Sequence, residues 1–356
     1  MSARAPRRGI VTLTPAPAID LTYRVEALEL GDVNRALEVT TELSGKGVNV
    51  ARAVALSPVP VAAVLALGAQ GEALAREGGF EHLLAGVPDT GRTRVNTTLL
   101  DASGTTTKVN ESPVAVEPAL WGRIAARTER ELDRLDAEWL VVSGSIPALA
   151  GSGEPVPFLD VVHRAADRGV RVAVDTAGAS LRRVVDDLAP VALLKPNTHE
   201  LAELTGRELR TIGDVADAAF RLHDAGCDIV YVSMGSDGAL AVSASGVLRA
   251  HAPATVVNTA GAGDASLAGF LVGALGEGAG PPAAGVGLGA GLLGAASPRR
   301  PTALPDVAAG LLLAASWGAH AVMQPTTLLS SITAAPTATL DLDPDPTTPL
   351  REPATP

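Results

Sequence analysis

The sequence predicts an α/β protein built on a mostly parallel sheet with helices on both faces. Three observations predict it. Short apolar runs alternate with longer amphipathic ones. Most of the apolar runs close on Gly, Ser, Asp or Asn. Aromatic residues are only 3% of 356, so a core rich enough for 47% hydrophobic residues has to be assembled from Ala, Val and Leu. Strand–helix alternation lays successive strands side by side in parallel, because each helix returns the chain to the same end of the sheet. In such sheets ligands collect at the carboxyl ends of the strands.

Taken in order, "GIVTLTP" from Gly9 reads as a buried first strand. Residues 20–43 alternate with period two and read as strands, as do residues 92–112; together they suit a small sheet lying over the main one. Helical segments are expected at 46–57, 117–136, 156–169, 178–188, 198–205 and 213–226. Further strands are expected at 59–68, 139–145, 170–176, 191–197 and 228–235. Beyond Asp264 the apolar residues Leu267, Phe270 and Leu271 recur at helical spacing. The stretch 279–298 is uncharged and of membrane length, but its Gly, Ala and Pro content, with Pro281-Pro282 at its start, reads as a surface insertion within about 276–305. One domain is expected over residues 1–334. After it the chain turns to Pro and Thr, and residues 335–356 are expected to be a disordered tail.

Charge and cysteine usage narrow the function. The formal net charge of −11 argues against nucleic-acid binding, which needs a basic surface. The single cysteine, Cys227, excludes a disulfide framework and a cysteine-rich zinc site. "GIVTLTP" is too short for a signal segment, so a cytoplasmic location without membrane contact is expected.

Several motifs carry chemistry. In "NTAGAGD" the small residues Gly261, Ala262 and Gly263 precede Asp264 at the mouth of a helix. The first turn of a helix has N–H groups without backbone acceptors and a positive dipole end, and glycine lets an anion approach them. Asp264 beside that anion is placed to take a proton from a hydroxyl; a glycine turn with a capping acid is the plainer alternative. In "SGKGVNVARA", Gly45 and Gly47 free the backbone, Lys46 suits a phosphate, and Asn49 lies one turn on, although alone the motif is more often a loop and helix cap. In "GRTRVN", Arg92 and Arg94 fall on one side of a strand and suit an anion, or water. Asp20 follows the turn after the first strand. In "KPNTHE", Asn197 and Glu200 make a capping box or hold a water-bound Mg²⁺. "SMGSDGA" is a strand running into a glycine turn.

In their order along the chain, from about residue 9 to 330, "TPAPAIDLT", "GDVNRA", "SGKGVNVAR", "GRTRVN", "SGSIP", "KPNTHE", "SMGSDGA" and "NTAGAGD" resemble the ribokinase-like, or phosphofructokinase-B, family of sugar kinases. "GDVNR", the lysine in the glycine loop and "GRTRVN" look most like its 1-phosphofructokinase branch. The resemblance implies a three-layer α/β/α sandwich with a small β lid, formed by the segments at 20–43 and 92–112, which often also builds a homodimer interface. It implies Asp264 as catalytic base with Gly261, Ala262 and Gly263 as anion hole. It gives the sugar phosphate to Asp20, Gly45, Lys46, Gly47, Asn49, Arg94, Asn96 and Ser145. It gives ATP to Lys195, Asn197, Ser233, Gly235, Ser236 and Gly238, and Mg²⁺ through water to Glu200, with a monovalent cation as a further expectation. Asn258 stands where many members carry Asp, and Ala16 where the "TPNPAID" form has Asn. The implied reaction is ATP-dependent phosphorylation of fructose 1-phosphate. Tagatose 6-phosphate or fructose 6-phosphate as substrate, or binding of a sugar phosphate without turnover, are the alternatives.

Overall fold

The computed structural model describes residues 9–187, 189–276, 306–324, 326 and 328–356. The insertion expected at about 276–305 lies, except for Gly276, outside the described residues. The chain runs β1 (Gly9–Thr14), β2 (Ala18–Val25), β3 (Glu38–Ser44), α1 (Lys46–Val54), β4 (Val61–Leu67), α2 (Ala69–Glu77), β5 (Leu84–Pro88), β6 (Arg94–Asp101), β7 (Thr106–Asn110), α3 (Pro118–Arg134), β8 (Ala137–Ser143) and α4 (Phe158–Asp167). It continues through β9 (Arg171–Asp175), α5 (Gly178–Asp186), β10 (Leu193–Leu194), α6 (Thr198–Thr205), β11 (Leu209–Thr211), α7 (Ile212–Asp224), β12 (Ile229–Ser233), β13 (Ala239–Ser243), β14 (Gly246–His251), α8 (Ala262–Ala274), α9 (Val307–Val322), β15 (Thr339–Asp341) and β16 (Pro349–Ala354).

Ten strands form the main sheet, in the order β15-β14-β13-β12-β10-β9-β8-β1-β4-β5. The run from β12 to β5 is parallel; β13, β14 and β15 add antiparallel strands at one edge. Strand periodicity sorts the side chains into two cores. Val11, Leu13, Leu140 and Val142 pack with α3, α4 and α7, whereas Ile10, Trp139 and Val141 pack with α1, α8 and α9. Each buried Val or Leu contributes roughly 1.5–3 kcal/mol against exposure, so many modest side chains replace the missing aromatics.

The segments with period-two patterning form a separate four-stranded sheet, β3-β2-β6-β7. Its alternation gives it two unlike faces. Asp20, Thr22, Thr40, Asn96, Thr98 and Lys108 face a cleft above the main sheet. By the same register Leu21, Tyr23, Val39, Leu99 and Val109 point the other way, and Val39 and Val109 are 50% and 62% exposed.

α8 and α9 meet backbone to backbone. A Cβ on Gly269 would stand 2.6 Å from the Leu313 carbonyl oxygen, one on Gly273 2.5 Å from that of Ala309, and one on Gly310 2.9 Å from that of Phe270. Only glycine permits this approach.

The tail departs from the expected disorder. β15 joins β14 at the edge of the main sheet, and β16 pairs antiparallel with β11. Strand edges offer unpaired N–H and C=O groups, so a segment poor in apolar residues can dock with a few anchors. Here they include Leu350 and Ala354, both buried in the core. No helix among the described residues is long and apolar enough to cross a membrane.

Candidate active site

A cleft of about 780 Å³ opens between the carboxyl ends of the parallel strands and the polar face of the small sheet. That volume is within the usual range for small-molecule sites. α8 enters it head first. Gly261, its N-cap, sits at φ 75°, a left-handed conformation that costs glycine little. The first intrahelical bond runs from the Ala265 N–H to the Gly261 carbonyl, which leaves the first-turn N–H groups at the helix mouth without helical acceptors.

Asp264 is the third residue of α8. Residues 264–274 are all buried, so the helix carries this acid into the interior, where it is only 7% exposed. Its Oδ2 accepts from Asn49 Nδ2 at 2.9 Å. Burial pushes its carboxyl up to about 6, and nearby Asp175 adds to the rise; Lys46, the Asn49 amide and Lys195 oppose it. A carboxyl poised near neutrality suits a general base.

Asp175 was not among the sequence-predicted site residues, yet it organises the cleft floor. It ends β9, is 1% exposed, and lies 2.8 Å from Lys46 Nζ through Oδ1 and 3.4 Å from Lys195 Nζ through Oδ2. Burial alone would raise its carboxyl, but Lys195 and Lys46 outweigh that and hold it below the usual range. Asp175 in turn pushes the Lys46 ammonium up, against the cost of desolvation. Lys46 is the first residue of α1, where the helix dipole disfavours a cation, so Asp175 offsets a local penalty. Lys195 reaches the mouth of α8, since a Cβ on Gly263 would lie 3.5 Å from its Nζ. An acid closing a buried strand at its carboxyl end was the available sequence signal.

On the small sheet, Asn96 donates to Asp20 Oδ1 at 3.0 Å. Arg94 donates to the carbonyl oxygens of Ala16 at 3.2 Å and Glu111 at 3.1 Å, and its buried Nε has no protein partner. Burial draws its pKa down, while Asp20 and Glu111 resist. Arg92 does not join it. β6 begins at Arg94, so strand alternation does not extend to Arg92, which donates to Glu111 Oε2 at 2.7 Å on an exposed rim. The expected pair of guanidiniums on one face is therefore a single one.

At the other end, Asn197 caps α6. Its Oδ1 accepts from the Glu200 N–H and the Glu200 carboxylate accepts from the Asn197 N–H, both at 2.8 Å. The capping box is thus real, and both residues still line the cleft. A Mg²⁺ ion that keeps most of its waters needs one or two carboxylates besides phosphate oxygens, which Glu200 can serve. Among the described residues no group of three or more His, Cys, Asp or Glu side chains is placed to hold a metal.

The cleft gathers Asp20, Gly45, Lys46, Asn49, Arg94, Asn96, Ser145, Lys195, Asn197, Glu200, Ser233, Gly261, Gly263 and Asp264. Gly47, Ala262, Gly235, Ser236 and Gly238 are outside its lining. Gly47 serves packing, because a Cβ there would collide with Thr14 Oγ1. Gly235, Ser236 and Gly238 belong to the turn after β12.

Residues 13–290 match the family described as pfkB family carbohydrate kinase. The 1-phosphofructokinase of Escherichia coli (strain K12) is 33% identical over 276 residues, 75% of this chain and 85% of that protein. The 1-phosphofructokinase of Haloferax volcanii is 35% identical over 266 residues, 74% of this chain and 83% of its own. The crystal structure of phosphofructokinase-2 from Escherichia coli in complex with substrates and products superposes with a TM-score of 0.73 at 26% identity, covering 90% of this chain and 95% of that one.

Proposed function

We propose, from the premise that the chain belongs to the pfkB family of carbohydrate kinases, that its sugar-phosphate kinase activity turns fructose 1-phosphate into fructose 1,6-bisphosphate with ATP as donor. One observation carries the reading: a single cleft holds a buried carboxyl poised at about 6 at the head of a helix together with Lys46 and Arg94, cations for which an uncharged sugar has no use. The relatives named 1-phosphofructokinase support the choice of sugar phosphate.

In this reading Asp264 accepts the proton of the sugar hydroxyl as its oxygen attacks the γ-phosphorus. The bond to the bridging oxygen breaks and ADP leaves. The N–H groups of Gly261, Ala262 and Gly263 stabilise charge on the moving phosphoryl group. Asn49 orients the base, and Lys195 adds positive charge beside the helix mouth. Asp20, Asn96 and Ser145 hold sugar hydroxyls, while Lys46 and Arg94 hold the phosphate already present. Mg²⁺, when bound, neutralises the ATP phosphates; Glu200 would hold it through water. A monovalent cation would share the 258–260 loop, where Asn258 Oδ1 already accepts from the Ala260 N–H. The cytoplasm is the setting that supplies ATP and keeps Cys227 reduced.

The apolar outer face of the small sheet supports its use as a lid that pairs two copies of the chain, with Val39 and Val109 at the contact. A coupled assay of ATP consumption against fructose 1-phosphate, fructose 6-phosphate, tagatose 6-phosphate and free fructose tests the substrate. Preference for another phosphate moves the assignment within the family; no turnover with any of them removes it.

A further inference from the structure

The last eleven residues lie beyond the stretch that matches the family, yet they are tied to the part of the molecule read as nucleotide-facing. The ties begin at α7. The Gly213 N–H donates to the Pro346 carbonyl and the Ile212 N–H to that of Thr348, both at 2.9 Å. β16 then pairs with β11 and crosses the turn at 235–238. The Arg351 N–H donates to Asp237 Oδ2 at 2.8 Å, and Nη1 of the same residue reaches the Ser236 carbonyl at 3.4 Å. The Arg351 guanidinium also stands 3.8 Å from Asp237 Oδ1. The Glu352 carboxylate lies 3.3 Å from where a Cβ on Gly235 would be.

The turn needs such support. Gly235 and Gly238 sit at φ 54° and 89°, and fixing the backbone of a glycine costs more entropy than fixing that of any other residue. Asp237, between them, is 3% exposed, and a buried carboxylate has to be satisfied. Arg249 takes the Asp237 backbone carbonyl at 3.0 and 3.2 Å, and its guanidinium lies 4.0 Å from the carboxylate. The shortest contact to the carboxylate itself comes from Arg351. The sugar end of the cleft, with Asp20, Arg94 and Asn96, has no contact with this segment among the described hydrogen bonds.

We propose that the C-terminal strand is a strap that positions the 235–238 turn for ATP, with Arg351 on Asp237 as its clasp. Arg351 is then a positioning residue that acts through Asp237, and ATP affinity depends on the end of the chain while sugar-phosphate recognition does not. The proposal rests on reading Ser233 to Gly238 as facing ATP.

Two variants test it in initial-rate kinetics with fructose 1-phosphate: a chain ending at Asp345, and full-length Arg351→Pro, which deletes the donor N–H and leaves Leu350 and Ala354 in place. Both should raise the ATP KM about tenfold, as expected for loss of a hydrogen bond to a charged group. The KM for fructose 1-phosphate should stay within about twofold, a split that general loosening does not produce. Hydrogen exchange at 233–238 is followed in parallel. ADP should slow it in the full chain, and it should be faster in both variants without nucleotide. If ADP leaves exchange there unchanged in the full chain, the turn does not face nucleotide and the strap has nothing to position. If ADP slows it but the ATP KM is unmoved in both variants, the strap is refuted and the reading of the turn stands. Equal rises in both KM values also refute it. Should the shortened chain not fold, Arg351→Pro decides alone.

Discussion

Replacing Asp264 by Asn should make the protein more stable and inactive at once. The carboxyl titrates near 6 in the folded chain against an ordinary 3.8, because burial and Asp175 disfavour its charge. A rise of about two units, at 1.36 kcal/mol each, means that folding at neutral pH carries a penalty of about 3 kcal/mol from this one ionisation. The folded pKa is raised, so the stability linked to this proton is fully present below about pH 4 and is lost as the pH climbs through about 6. Asn resembles the protonated acid and escapes the loss. With an unfolding entropy of roughly 2.1 cal/mol/K per residue over 356 residues, 3 kcal/mol corresponds to a Tm gain of about 4 °C. Calorimetric melts of both proteins at pH 4 and pH 8 measure it. The variant should match wild type at pH 4 and exceed it at pH 8, while turnover falls by about 10²–10⁴-fold. A variant less stable than wild type at pH 8, or a difference that does not change with pH, refutes the picture of a buried, unwillingly charged acid.

Three further outcomes follow from the same geometry. The kcat/KM profile of wild type should fall about tenfold per pH unit below about 6, as Asp264 takes up its proton; a flat profile from pH 5 to 8 excludes it as the base. Asp175→Asn should move stability the opposite way, by about 3–5 kcal/mol in urea denaturation, since it leaves the buried Lys195 without its counter-charge; an unchanged midpoint contradicts this. Lys46→Met and Arg94→Ala should each lower kcat/KM for fructose 1-phosphate about ten- to a hundredfold with little change in ATP KM, and Arg94→Lys should rescue only in part. Equal losses with free fructose would show that neither residue reads a phosphate.

Much of the fold was legible because period and punctuation agree. β1 is buried at every position, and β2 alternates apolar Ile19, Leu21, Tyr23 and Val25 with polar Asp20, Thr22 and Arg24. β16 was hidden for a physical reason. A Pro- and Thr-rich composition says that a segment cannot fold alone, but not that an edge strand three residues long, β11, waits for it. The site was legible where a motif concentrates unusual backbone, as at Gly261 to Asp264. Asp175 was not, because "VAVDT" is an ordinary buried strand until the fold brings Lys46 and Lys195 to its end from 129 and 20 positions away. Arg92 escapes the pattern because a two-residue period has meaning only inside the strand, and β6 starts at Arg94.

The glycine contact between α8 and α9 bears on how this chain can change. Gly269, Gly273 and Gly310 tie α8 to α9 beyond the first turn, so Asp264 at the head of α8 is held by backbone contact and not by the length of sequence between the two helices. The interlocked glycines therefore act as insulation. They let the sequence between α8 and α9 be rewritten, extended or traded for another without retuning the acid.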